Sequence, residues 1–240
     1  MKNFRSALVA LAVLALFSLS ASATPVGAFT ITNGSLGGVT VSAFTIDWFL
    51  PVGPPDGAIK VDASSVTYKP AVGPVTSLAP GTVGQVLDLN VAMYALLPVP
   101  GVANFMTFNP AIATTDLSFT LNAVGPGSGN INCAGLGIGQ SCSAIAGSPI
   151  ILTRTSNGTT ASLDVSGLAY DSADFAAWMG TFTSQFPGQT PLQLQTTILT
   201  VGSVTNSYSG GFVATIVPEP ATYAMLGLGL LALASLRRRK

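Results

Sequence analysis

Ile150-Ile-Leu-Thr-Arg-Thr-Ser-Asn-Gly-Thr-Thr-Ala-Ser-Leu-Asp-Val-Ser166 is the stretch that decides the fold class. Asn157-Gly158 is hairpin-turn chemistry, and it separates two short apolar runs at 150–153 and 161–165. Leu163 and Val165 alternate with Asp164 and Ser166, which gives a strand one face in a core and one in water. The same period of two recurs along the chain in both directions. Phe44, Ile46 and Trp48 alternate with Thr45 and Asp47, and Leu117, Phe119 and Leu121 with Ser118 and Thr120. Trp178, Gly180 and Phe182 share a face, as do Phe212, Ala214 and Ile216. Gly, Pro and Asn clusters at 51–57, 125–130 and 156–158 punctuate these runs. Pro70, Pro74, Pro80, Pro98, Pro100 and Pro110 interrupt ladders, so the middle third is expected to hold edge strands or long loops. Short punctuated strands of this kind predict an all-β, antiparallel β-sandwich-like single domain. One helix is expected as an exception. Thr190 is placed to cap it, Pro191 to open it and Gly202 to end it, although Thr196-Thr197-Ile198 is a β-branched run.

Composition narrows the functional classes. The 240 residues are 48% apolar and only 8% charged, with 26 Gly, 16 Pro and no His. Typical soluble domains carry about 25% charged residues, so Ser, Thr, Asn, Gln and Gly must cover this surface, as suits an exported strand-and-turn protein. Long helical bundles, which rely on Glu, Lys and Arg, are excluded. Between Thr24 and Val217 three basic side chains (Lys60, Lys69, Arg154) face eight aspartates, a net charge of −5. Nucleic-acid binding needs clustered Lys and Arg and is not expected.

Both ends read as addresses. Lys2 and Arg5 precede an apolar run at 7–19, and Ala21-Ser22-Ala23 supplies the small residues signal peptidase requires. Residues 1–23 are therefore expected to be a signal peptide, with cleavage after Ala23. At the other end Val217-Pro218-Glu219-Pro220 leads into an apolar stretch at 221–236 and then Arg237-Arg238-Arg239-Lys240. Sixteen helical residues rise about 24 Å, a short transmembrane helix whose arginines can snorkel. The basic cluster should stay cytoplasmic.

The order of Pro-Glu-Pro, short apolar helix and basic tail resembles the PEP-CTERM sorting signal of Gram-negative, exopolysaccharide-producing bacteria. The resemblance covers residues 217–240, and Glu219 is the only glutamate in the chain. It implies that an exosortase reads Pro218, Glu219 and Pro220, that Arg237, Arg238, Arg239 and Lys240 act as a retention tail, and that the protein is released toward the cell surface or matrix. The body, 24–216, is similar to one recurrent among PEP-CTERM proteins. Leu117-Ser-Phe-Thr-Leu121, Cys133 with Cys142, the run 178–186 and Gly202-Ser-Val-Thr-Asn-Ser-Tyr208 carry that likeness. It implies an exported β-rich domain with no assigned activity.

Within the body, chemistry is sparse. Cys133 and Cys142 are the only cysteines, and oxidation outside the cytoplasm should join them. A metal pair or a catalytic thiol is the alternative; the first lacks further ligands and the second lacks a His. Without His, and with no Glu in the body, a Ser-His-Asp triad cannot be built, so no enzymatic activity is expected. Asp171 and Asp174 are the closest acidic pair and read as turn chemistry, with a calcium site as the sharper alternative. Asp56 and Asp62 raise the same question more weakly. Trp48, Phe49, Trp178 and Phe182 are expected in the core, with sugar stacking as the alternative. Gly135-Leu-Gly-Ile-Gly139 reads as a flexible loop. No cofactor is implied.

The expectation is a non-enzymatic surface or matrix protein, processed by signal peptidase and exosortase. It passes through the inner membrane transiently and associates with exopolysaccharide or biofilm. A calcium- or carbohydrate-binding adhesin is the alternative, and an Asp-dependent periplasmic hydrolase the remote one.

Overall fold

The computed structural model describes residues 25–33, 37–49, 57–68, 76–90, 101–108, 117–171 and 174–216. The strands among them are β1 (Gly27–Thr32), β2 (Gly38–Val41), β3 (Thr45–Phe49), β4 (Gly57–Ser64), β5 (Thr67–Tyr68), β6 (Thr76–Ser77), β7 (Val83–Val86) and β8 (Leu89–Asn90). They continue with β9 (Val102–Phe108), β10 (Ser118–Val124), β11 (Ser141–Ser143), β12 (Ile151–Thr155), β13 (Gly158–Tyr170), β14 (Phe175–Pro187), β15 (Val204–Asn206) and β16 (Ser209–Ile216). A helix, α1 (Pro191–Val201), lies between β14 and β15.

The all-β, antiparallel expectation holds, but the architecture is a closed barrel and not a sandwich. Eight strands run in the order β10-β9-β7-β4-β1-β16-β14-β13, and β10 pairs back onto β13 to close the ring. Period-two alternation is the same in both architectures. What separates them is the long-range ladder of Ser118 to Val124 against Tyr170 to Val165. It removes two sheet edges that would otherwise stand open. An eight-stranded barrel is just wide enough for side chains to fill it, and here aromatics do so. Phe29 stacks on Phe212 at 4.9 Å, Phe119 meets Trp178 at 5.6 Å, and Phe182 meets Phe212 at 5.0 Å. Trp178 reaches across to donate its indole N–H to the Thr120 carbonyl at 3.0 Å. Gly180, opposite Phe212 in the ladder, leaves room for that ring.

One end of the barrel does carry sheet-on-sheet packing. β13 is long enough to pair twice along one edge: residues 165–170 with β10, and residues 158–162 with β12. Beyond the barrel, β13, β14, β12 and β11 therefore continue as an open sheet, and β15-β2-β3-β8 forms a second sheet. Val39, Val41, Ile46 and Trp48 of that second sheet face Ile150, Ala161, Leu163 and Phe182. Trp48 lies 4.9 Å from Phe182 and 5.9 Å from Phe105. This contact joins the two hydrophobic layers into one core.

Local chemistry accounts for most elements. The β12–β13 hairpin forms as expected, with the turn set one residue earlier, at Ser156-Asn157, and Gly158 already paired with Thr155 at φ 152°. Thr190 caps α1: its hydroxyl accepts from Gln193 N, and the Gln193 side chain answers to the Thr190 backbone. Gly202 ends the helix in the left-handed region, φ 96°. The β-branched run is accommodated because Thr196 and Thr197 donate to the carbonyls of Leu192 and Gln193. In β9, Asn104 takes φ 56° within a register shift against β10, and Phe105 and Met106 are both buried in succession, as a bulge allows. Pro80 sits in a turn, while the other five mid-chain prolines lie outside the described residues.

The expected signal peptide and C-terminal transmembrane helix fall outside the described residues. Among the described residues no helix is long and apolar enough to cross a membrane.

Candidate functional site

The β13–β14 ladder runs from Gly158↔Pro187 at one end to Tyr170↔Phe175 at the other. Thirteen residues at about 3.3 Å each separate those ends by roughly 40 Å. At the 170–175 end, Asp171 N donates to the Asp174 carbonyl at 3.0 Å, and Asp174 N donates to Asp171 Oδ1 at 2.8 Å. The two aspartates are thus brought together as turn residues, a structural role that Asp is suited to. Asp174 Oδ2 is shut off from solvent and makes no hydrogen bond. Beside them Tyr170 and Phe175 stand 37% and 45% exposed, with ring centroids 6.2 Å apart. Ile216 pairs with Ala176, so β16 delivers the chain to this same rim.

The opposite end is built from the disulfide loop and α1. Cys133 and Cys142 are joined, with Cα atoms 5.3 Å apart, and both are buried. The glycine run between them is not a loose loop. Gly139 N donates to the Arg154 carbonyl at 2.8 Å, Gln140 N to Gly137 O at 3.0 Å, and Gly137 N to Gln140 Oε1 at 2.8 Å. The Gln195 amide of α1 ties this loop to the helix by donating to the carbonyls of Ile131 and Ala144, both at 2.9 Å. Leu194 and Ile198 bury the same helix face.

The aromatic residues considered for sugar stacking are in the core: Trp48 at 0%, Trp178 at 1% and Phe182 at 4% exposure. They offer no platform to a glycan. The side chain of Phe49 is outside the described set. Tyr208 is buried against Trp48 and donates its hydroxyl to the Ala58 carbonyl at 2.8 Å. Burial pushes its phenol above the ordinary tyrosine range. Trp48 Nε1 is buried without a hydrogen-bond partner beside a cavity of about 20 Å³ between the two sheets. Shallow grooves run along Asp164, Ser166, Thr181 and Gly211, and along Ala28, Thr30 and Ala63. Asp164 accepts from the Thr181 hydroxyl there at 2.6 Å. Among the described residues no three His, Cys, Asp or Glu side chains gather as a metal site. Asp62 stands exposed on β4, and Asp56 lies outside the described residues.

The last described residue, Ile216, is followed by Val217 and then by Pro218-Glu219-Pro220. Residues 217–240 match the PEP-CTERM protein-sorting motif. The chain carries a PEP-CTERM sorting signal at this end. The motif implies export, membrane-associated sorting and processing by an exosortase. No curated protein and no solved structure matches the chain.

Pro218, Glu219, Pro220 and the tail Arg237, Arg238, Arg239 and Lys240 lie outside the described residues, so their role rests on the motif. The structure adds the place where that signal is attached. It also adds a feature that the sequence analysis passed over, the exposed Tyr170–Phe175 pair. The signal for it was parity. Tyr170 is out of phase with Leu163 and Val165, and Phe175 is out of phase with Trp178 and Phe182, so both point outward.

Proposed function

We propose that this chain is a non-enzymatic exported surface or matrix protein. Its barrel is held at the inner membrane by the apolar segment at 221–236 until an exosortase cuts near Pro218 to Ala221. One observation carries the reading: the sorting motif begins at residue 217, immediately after the last paired residue of β16. Among the described residues every ladder is complete by Ile216, so a cut within the motif leaves all of these strands in place. The barrel interior is filled by rings, which leaves the outer wall as the contact surface. That wall is low in charge and rich in Thr, Ser and Gly, suited to a hydrated exopolysaccharide. A chain without His, whose paired aspartates serve as turn residues, supports a binding or structural role over catalysis.

The test is intact mass and location of the mature protein in its native host, for the wild type and Glu219→Ala. A product from Thr24 to near Pro220, outside the inner membrane and lost in the variant, is expected. Retention of the C-terminal segment in both proteins would overturn the exosortase reading.

A second reading, a calcium-binding adhesin, is favoured by the unpartnered Asp174 Oδ2 beside Asp171. Under that reading calcium raises the melting temperature of the wild type and not of Asp174→Asn. An identical melting curve in calcium and in chelator would dismiss it.

A further inference from the structure

We infer that the Tyr170–Phe175 rim of the barrel rests on a zwitterionic phospholipid surface while the C-terminal segment is uncut. The inference depends on the membrane-tethered reading above and adds which face of the domain meets the lipid. Ile216 is opposite Ala176, next to Phe175 in β14, so the chain leaves the ladder beside the aromatic pair. From Ile216 to Ala221, where the apolar stretch begins, the chain advances five residues, two of them prolines. At no more than about 3.6 Å per residue for a fully extended chain, that tether spans at most about 18 Å. A headgroup layer occupies roughly 5–8 Å on each side of a hydrocarbon core of about 30 Å. The rim therefore stays within reach of the headgroups for as long as the tether is intact.

What the rim presents fits that location. Tyr170 and Phe175 are exposed on the outer wall, their rings 6.2 Å apart, in a protein whose other large aromatics are mostly core. Aromatic side chains with one wet and one apolar side settle at membrane–water interfaces. The ionisable side chains of this turn, Asp171 and Asp174, are both acidic, which disfavours an anionic lipid surface and selects a neutral one. The disulfide loop and α1 lie at the far end of the β13–β14 ladder, about 40 Å away, and project away from the bilayer.

The experiment uses the full chain in phosphatidylcholine vesicles with brominated acyl chains, which quench tryptophan on contact. Phe175→Trp and Tyr170→Trp are compared with Met179→Trp on the mid-wall and Leu199→Trp on α1. Trp48 and Trp178 are buried and supply a constant background. Near-UV circular dichroism confirms that each variant keeps its packed core. Several-fold stronger quenching at 170 and 175 than at 199, with 179 between them, is expected. Replacing a third of the lipid with phosphatidylglycerol should weaken the quenching at 170 and 175, and unchanged or stronger quenching there would overturn the preference for a zwitterionic surface. Protein that floats with vesicles yet shows equal quenching at 175 and 199 overturns the rim assignment alone. Protein that fails to float with vesicles removes the tether and, with it, the assignment.

Discussion

Two glycines that are neighbours across one ladder should respond to the same substitution with opposite signs. Gly180 pairs with Phe212, and the next pair is Thr181 with Gly211. A methyl group added at Gly180 would start 2.2 Å from Phe212 Cδ1 and 2.5 Å from the Gly211 carbonyl oxygen. Carbon atoms in comfortable contact sit about 3.5–4.0 Å apart, so more than an ångström must be found. Phe212 cannot retreat, because Phe29, Phe182 and Trp178 hold it at 4.9, 5.0 and 5.9 Å. Overpacking of this kind costs about 1–3 kcal/mol, set against a gain of about 0.5–1 kcal/mol from the lower entropy of the unfolded alanine chain. Gly180→Ala is therefore expected to destabilise by about 1–2 kcal/mol. At Gly211 an added methyl meets nothing within 4 Å, so Gly211→Ala keeps only the entropic gain and stabilises by about 0.4–1 kcal/mol. Urea unfolding followed by tryptophan fluorescence on the exported form measures both. The double variant Gly180→Ala, Phe212→Leu should lose less than the sum of its single changes, since the smaller side chain relieves part of the clash. If Gly180→Ala stabilises as Gly211→Ala does, the ring-filled barrel interior is wrong. Equal losses at both glycines would refute the inward and outward assignment of the two faces.

Two further outcomes follow from the same packing. Joint replacement of Cys133 and Cys142 by Ala should cost roughly 2–3 kcal/mol on the chain-entropy account of a ten-residue loop, and reductant should lower the melting temperature of the wild type but not of the variant. The phenol of Tyr208 is raised in the folded state, so its contribution is fully present below the unfolded value near pH 10 and declines as pH rises beyond it. Tyr208→Phe should flatten that alkaline decline, while at neutral pH it loses about 1 kcal/mol for the missing bond to Ala58. Stability measured from pH 8 to 11 checks both, and an unchanged alkaline limb would assign the titration to another group.

What was legible in the sequence was whatever nearest neighbours decide. The cap at Thr190, the stop at Gly202, the β12–β13 hairpin and the inward parity of Leu163, Val165, Trp178 and Phe182 all depend on a few consecutive residues. The Cys133–Cys142 bond followed from having two cysteines in an exported chain. The sorting signal is linear, so it too was readable, and the motif at 217–240 agrees. Closure was not readable. Residues 118–121 alternate identically whether β10 is the edge of a sandwich or the partner of β13, and the choice rests on a ladder between segments about fifty residues apart in sequence. The bulge at Asn104 and the ordering of the glycine run by Arg154 likewise need partners that the local sequence does not contain. Placing Tyr170, Phe175 and Ile216 on one rim needed the three-dimensional register of β13, β14 and β16. Short-range chemistry determined the elements and the address; long-range pairing free energy, summed over the whole ring, decided their assembly.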